Sequence, residues 1–584
     1  MNYSKATQRL LSNPFFSYTA IVLLQLKAVW RMWDYKDLTS GDTAYYFRSA
    51  YTWFDHQSVN VLFSPIYTAF YGTFLHIFSD IYAATILHRL IIIFASSLMV
   101  LALMRKLLPY GLALLISIWW AVLPINFNTL YEVHLFAVIP VLSACLLILS
   151  KPAIWARGGA IAILAGATVL VRNEILIGTL LLAVICIVWE VWQYRTAEQK
   201  PSIPQYLLGY GIPLSLTGLT IRFFYTHSHI QNSSLSLAES ARAKHTLGIC
   251  QGYAFGHQQR HPEWSFSPWT ECSGLMEQTF GQPSPSLFEA LRANPLAILE
   301  HFRWNINLML SGVQVSLFNA TSGSVNPDYA PVHLNSSWVI TPTIGVSLIL
   351  ITGLFQLYRN RQFWWESWLQ QRFWGWLVLI TVAPITFFLV TLVYRPRPSY
   401  MFALAVLLMA AVGMSVFVIT HRWSALKHFN ILIPAIVVML LITVPTYYTA
   451  SERQLLDFYH RFQPFQPILA EDKTVFLTRH FSFDVCSFLG KSETCQPLSY
   501  ASDDFFAEVP ETRSLRALLN KHKVNLFYVD ANLIEKLESN ARTAKFLTDP
   551  ASMGWQLIAM QDTGDRWMLF QRIKRNRSAQ ITSP

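Results

Sequence analysis

The sequence predicts a polytopic α-helical membrane protein, with about 11 transmembrane helices in a range of about 11–13, followed by a C-terminal extracytoplasmic α/β domain. Three observations predict it. Hydrophobic residues make up 53% of the 584 positions and charged residues only 13%, where soluble domains carry about 25% charged residues. Apolar stretches of about 18 to 23 residues, the length that crosses roughly 30 Å of hydrocarbon, recur along the first part of the chain. After Tyr448 the composition changes to that of a small soluble domain with alternating strand and helix patterns.

The expected spans lie near 15–33, 84–104, 111–127, 134–150, 158–171, 174–193, 206–224, 337–357, 373–393, 400–420 and 429–448. Met1 to Pro14 leads into a full-length span with Trp30 and Trp33 at its end, which predicts an uncleaved anchor. Lys and Arg set the orientation, because short basic loops stay cytoplasmic. With Lys5 and Arg9 inside, Arg105-Lys106, Lys151 with Arg157, Arg195 with Lys200, Arg359 with Arg361 and Arg372, and Arg422 with Lys427 all fall inside too. The expectation is a multi-pass protein of the plasma (inner) membrane, N-terminus cytoplasmic and C-terminal domain extracytoplasmic. The net charge of +11 is then a topology signal, and no nucleic-acid partner is expected. Lys27, Arg31 and Arg222, near span ends, read as snorkelling side chains.

This division gives a membrane module over 1–450 with outer loops at 34–83 and 225–336, and a soluble α/β domain with a short polar tail over 451–584. In the first loop the run Phe63 to Gly72 is too short to span and too apolar to be solvated, and is expected along the membrane interface. In the second, an amphipathic stretch from Ser284 to about Leu310 has Pro295 near a helix break. In the tail, Thr474–Leu477 and Val524–Val529 read as buried strands around a helix at Arg513–His522, and Trp555–Met560 and Trp567–Phe570 as a hairpin turning at Asp562–Asp565. No Gly-rich phosphate loop is present in the tail. Cys250 with Cys272, and Cys486 with Cys495, are two local pairs on the outer side, which suggests disulfides in an oxidising compartment.

Ionisable residues at membrane depth are costly and point to function. Four groups gather at the outer span ends: Asp42 in Ser40-Gly41-Asp42-Thr43, Glu132 and His134 in Tyr131-Glu132-Val133-His134, Arg172-Asn173-Glu174, and Arg395 and Arg397 in Tyr394-Arg395-Pro396-Arg397-Pro398-Ser399-Tyr400. Arg89, near the outer start of the second span, joins them. In order and placement these resemble the polytopic glycosyltransferases of the GT-C superfamily, particularly the family 39-like branch of protein O-mannosyltransferases and the lipid A aminoarabinose transferase. The likeness covers roughly residues 15–450, and the tail is similar to the variable C-terminal domains of that superfamily.

The resemblance implies transfer of a sugar from a polyprenyl-phosphate donor to a lipid, glycan or protein acceptor at the outer surface of the cell envelope. It implies Asp42, Glu132 and Glu174 as catalytic residues, with Asp42 taking a proton from the acceptor hydroxyl or orienting it. Arg89, His134, Arg172, Arg395, Arg397 and Tyr400 would bind substrate, since guanidinium matches phosphate oxygens in bidentate fashion. Many relatives carry a second acidic residue beside the first-loop Asp; here Thr43 follows Asp42, and the next carboxylate is Asp55. That weakens the case for a metal there, although Glu132 and His134, with His257 or His261, have the chemistry for a divalent ion.

Each motif also has a structural reading. Asp42 can be a solvated residue or a helix N-cap, Arg172 and Glu174 a structural ion pair, Arg395 and Arg397 headgroup anchors, and His134 a structural hydrogen-bonding residue. At the level of the whole chain, the alternatives are a transporter or lipid-linked-sugar flippase, a nonenzymatic envelope assembly protein, and an oligosaccharide ligase or polymerase that keeps the lipid-linked donor. Clustered charge at the span ends favours the enzyme over a transporter, whose sites lie near the bilayer midplane.

Overall fold

A computed structural model describes residues 3–32, 41–78, 81–127, 132–150, 153–196, 202–228, 236–319, 337–397, 400–422, 432–446, 463–465, 467–468, 474–478, 486, 495–499, 515–539, 541–561 and 566–573, with the backbone alone at 3–5, 41–45, 81–82, 337–338, 422, 463, 497, 499 and 541–542. The chain forms two compact units. One comprises Met1–Trp33, Gln57–Phe70 and Ile86–Glu452; the other comprises Asp34–His56, Tyr71–Thr85 and Arg453–Pro584.

The first unit is helical. Each expected span falls on a helix: Pro14–Ala28, Ile81–Leu107, Tyr110–Val122, Glu132–Ser150, Ile154–Leu170, Leu176–Thr196, Ile203–Thr226, Ser337–Arg359, Arg361–Val393, Phe402–Arg422 and Ile433–Thr443. Among the described residues, seven helices are long and apolar enough to cross a membrane. The other four expected spans fall on helices of 15, 13, 17 and 11 residues, shorter than the about 20 residues of a straight crossing.

Helix ends obey backbone chemistry. Arg105 and Lys106 occupy the last turn of Ile81–Leu107, where cations suit the partial negative charge of exposed carbonyls. Arg105 also donates to Leu11 O at 3.2 Å and Ser12 O at 2.8 Å, closing the end of Tyr3–Ser12. Lys27 does not snorkel: its Nζ donates to Leu441 O and Ile442 O at the end of Ile433–Thr443, so helix capping satisfies the ammonium within the protein.

Two further long helices complete this unit, Leu237–Arg260 and Pro295–Phe318, the second preceded by Leu287–Ala293 and capped by Asn294, whose side chain accepts from Ala297 N at 3.2 Å. The break expected at Pro295 is thus a cap followed by a helix start. The disulfide Cys250–Cys272 ties Leu237–Arg260 to Cys272–Phe280. The run 63–72 is not an interfacial surface segment. It opens the helix Pro65–Ile77, and Tyr67, Thr68 and Tyr71 are 2%, 0% and 3% exposed. Tyr67 finds a partner for its hydroxyl in His88 Nε2 at 3.2 Å, which allows an amphipathic ring to be buried.

The second unit is built on a five-stranded sheet in the order β2-β1-β3-β5-β4. Its strands are β1 Thr474–Thr478, β2 Cys495–Ser499, β3 Leu526–Asp530, β4 Trp555–Gln561 and β5 Trp567–Arg572. β1 runs parallel to β2 and β3, and β5 pairs antiparallel with β3 and β4. β2 is absent from the sequence reading, because Cys495-Gln496-Pro497-Leu498-Ser499 has little of the apolar patterning of a strand. The expected turn at 562–565 lies outside the described residues.

Alternation along the strands sends Leu526, Tyr528, Trp567 and Leu569 to one face and Phe527, Val529, Met568 and Phe570 to the other. The second face packs on Leu515, Leu518, Leu533, Ile534 and Phe546 from the domain's own helices. The first packs on Phe47, Ala50 and Tyr51 from Gly41–His56, with Tyr71, Leu75 and Ala84. Two stretches of the segment 34–83 therefore cover one face of the C-terminal sheet. The disulfide Cys486–Cys495 anchors the start of β2.

Candidate functional site

Glu132 opens Glu132–Ser150, where a carboxylate suits the exposed N–H groups of the first turn. Arg89 reaches it from Ile81–Leu107, with Nε 3.0 Å from Glu132 Oε1; the two side chains are 1% and 8% exposed. The contact is an ion pair without well-aligned hydrogen-bond geometry, and among the described residues the buried Arg89 Nη1 has no hydrogen-bond partner. Arg89 is thus the buried neighbour of a carboxylate.

Two residues on, His134 is buried with its ring edge-on to Tyr400, centroids 4.9 Å apart at 90°. Tyr400 is the common neighbour of the site. The guanidinium carbons of Arg172 and Arg397 lie 5.4 Å and 5.6 Å from its ring centroid, within cation–π range. Both arginines also act electrostatically on His134.

Arg172 is placed by the ending of Ile154–Leu170. Ala167 O accepts from both Val171 N at 2.9 Å and Arg172 N at 2.8 Å, and Arg172 turns extended at φ −149° before the turn Asn173–Ile175. Its Nε donates to Glu174 Oε2 at 3.1 Å while Nη2 contacts Glu174 Oε1, a two-pronged pair. Gly178 holds the next helix against Gln370–Val393, since a Cβ there would meet Val382 Cα at 2.8 Å.

Arg395 and Arg397 follow the end of Gln370–Val393 in a segment without regular structure. Arg395 sits at φ 149°, outside the regions an L-residue ordinarily adopts, and Arg397 N donates to Arg395 O at 2.8 Å, a tight turn around Pro396. Residues held this way are concentrated at functional sites. Arg395 is buried, with its guanidinium carbon 4.0 Å from the centroid of Phe255 on Leu237–Arg260. Tyr400 N donates to Arg397 O at 3.0 Å, returning the chain to the site.

The fold thus gathers His134, Arg172, Glu174, Arg397 and Tyr400, with Arg89 and Glu132 leading into them and Arg395 on the same segment. Asp42 lies in the first turn of Gly41–His56, in the second unit, and its side chain is outside the described residues. His257 and His261 stack with centroids 4.3 Å apart, and His261 Nδ1 is 3.1 Å from Glu263. Burial pushes the His257 imidazole below its ordinary range. Among the described residues, no three His, Cys, Asp or Glu side chains converge as a metal site.

Residues absent from the sequence reading frame the arginine segment. Gly248, Gly252 and Gly256, spaced by four along Leu237–Arg260, form a bare stripe. A Cβ at Gly252 would meet Val393 O at 2.9 Å, and one at Gly248 would meet the Tyr394 ring at 2.9 Å. That spacing was the available signal, since small residues four apart let helices approach closely.

No protein-family model matches the chain, and no curated protein matches it. Eleven solved chains do. The apo crystal structure of the Archaeoglobus fulgidus oligosaccharyltransferase is similar at 14% identity, over 90% of this chain and 69% of that chain, with a TM-score of 0.45. The same organism's oligosaccharyltransferase AglB, in complex with an inhibitory peptide and a dolichol-phosphate, is similar at 13% identity, over 91% and 69%, with a TM-score of 0.44. The crystal structure of the Archaeoglobus fulgidus oligosaccharyltransferase in complex with zinc and sulfate is similar at 12% identity, over 88% of this chain and 67% of that chain, with a TM-score of 0.43. At these values the likeness carries no conclusion about chemistry, which rests on the residues of this chain.

Proposed function

We propose that the protein is a GT-C type membrane glycosyltransferase that moves a sugar from a polyprenyl-phosphate donor to an acceptor hydroxyl on the outer face of the membrane. One observation carries the reading: Arg172 and Arg397 flank a single aromatic ring, Tyr400, beside the buried His134. A phosphate ester that gains charge as its bond to the sugar breaks needs preorganised cations in a site shielded from water. Arg397 and Arg395 follow the end of a helix long enough to cross the membrane, which suits a donor whose lipid lies in the bilayer.

In the reaction, the bond between the anomeric carbon and the phosphate oxygen breaks, and a bond from that carbon to the acceptor oxygen forms. The acceptor's proton passes to a carboxylate, and polyprenyl phosphate departs against the arginines. Asp42 is the residue we assign to the proton, from its place in the first loop. Glu174 is held by Arg172 and orients it. Glu132, paired with Arg89, is proposed as a further catalytic carboxylate.

The test is release of polyprenyl phosphate by the full chain in lipid nanodiscs, offered a panel of polyprenyl-phosphate sugars and acceptors, with and without chelator. Release from one donor that is lost in Asp42→Asn and Arg397→Ala is the expected result. Release unchanged in Asp42→Asn removes Asp42 from the mechanism. No release from any donor, together with movement of labelled lipid-linked sugar across the bilayer, would replace the transferase with a flippase.

A further inference from the structure

Gln370–Val393 ends where the arginine segment begins, and a helix end leaves its last carbonyls without partners inside the helix. Two of them are taken by side chains of Pro295–Phe318. Asn305 Nδ2 donates to Leu392 O at 3.0 Å, and His301 Nε2 donates to Val393 O at 3.0 Å. Both side chains are buried, at 1% and 2% exposure. Further along the same helix, Gly312 offers bare backbone to the turn: a Cβ there would lie 2.8 Å from Pro396 O and 2.8 Å from Pro396 Cβ.

His301, Asn305 and Gly312 stand at i, i+4 and i+11, which places them on one helix face. That face meets the chain on either side of Tyr394 and Arg395. Between those contacts the helical ladder ends with Tyr394 N donating to Val390 O at 2.8 Å, and Arg395 holds a φ of 149° that a free segment would abandon. We propose that His301, Asn305 and Gly312 are positioning residues that set where Arg395 and Arg397 meet the donor phosphate. The proposal rests on the transferase reading for what the arginines bind, and on geometry alone for how they are held.

Asn305→Leu keeps the bulk and removes the donor; His301→Leu does the same at the second carbonyl, and His301→Gln restores a donor of similar reach. Transfer kcat/KM is expected to fall about 10- to 100-fold in the two leucine variants, the loss typical of displacing a charge-stabilising group by about 1 Å. His301→Gln is expected to recover most of it. In an Arg397→Lys background, which keeps the charge but not the two-pronged guanidinium, the added loss from Asn305→Leu should be smaller than in the parent, because the two changes act partly through one group. A donor-independent arm uses phenylglyoxal modification of arginines, mapped by mass spectrometry. Asn305→Leu is expected to alter modification at Arg395 and Arg397 and leave Arg361 unchanged. If the parent protein transfers no sugar but the labelling shifts, the transferase reading fails and the positioning role stands. Unchanged labelling and transfer in both leucine variants, or an undiminished loss in the Arg397→Lys background, overturns the positioning role.

Discussion

Glu132→Leu separates the two meanings of the buried Arg89–Glu132 contact. Arg89 is 1% exposed, its Nε lies 3.0 Å from Glu132 Oε1, and its Nη1 has no hydrogen-bond partner among the described residues. Removing the carboxylate strands a guanidinium that water cannot reach. Breaking a buried pair from one side costs about 3–5 kcal/mol, whereas replacing both members with apolar groups of similar volume is often neutral. Glu132→Leu is therefore expected to lose about 3–5 kcal/mol in reversible unfolding by sodium dodecyl sulfate in mixed micelles, and Arg89→Met/Glu132→Leu to return to within about 1 kcal/mol of the parent. Sugar transfer is then measured on the stable double variant. Stability recovered without activity assigns the pair to the reaction; both recovered make the pair structural. A loss below about 1 kcal/mol in Glu132→Leu would refute the reasoning, since it would mean that Arg89 finds water or another anion at no cost.

Further outcomes follow from the same geometry. His301 is pushed down to about 4 by burial, against about 6.5 in an unfolded chain. Its contribution is fully present above pH about 6.5 and is lost as pH falls toward about 4, because only the unfolded state takes up the proton in that window. The parent should lose about 3 kcal/mol more than His301→Gln between those limits, and equal losses would remove His301 from the acid response. Reducing or deleting Cys250–Cys272, which closes a separation of 22 residues, should cost about 3 kcal/mol of unfolding free energy. Limited proteolysis should then open the segment between the two cysteines first, and an unchanged digestion pattern would count against the disulfide.

The eleven expected spans coincide with helices, because a chain in hydrocarbon must satisfy its backbone internally and leaves long apolar runs as a record. The strands at Thr474 and Val524 were equally legible from continuous apolar runs, and the charged groups could be picked out as ionisable residues out of place in apolar sequence. The partners of those charges could not be. Arg89 and Glu132 are 43 residues apart in sequence and 3.0 Å apart in space. His301 and Val393 are 92 residues apart and joined by a hydrogen bond.

The same holds for Phe47, Tyr51 and Tyr71, which read as a loop of the membrane module and yet cover a face of the C-terminal sheet. Composition and periodicity record what each segment must bury. Which surface does the burying depends on contacts between distant segments, whose side chains carry no local mark of their partner. For this protein, sequence alone determined the helical membrane plan, the α/β tail and the residues with unusual chemistry. Only the tertiary structure decided that Tyr400 is the point where two arginines and a histidine meet, and that a glycine stripe on one helix and two side chains on another meet the helix end that precedes the arginine turn.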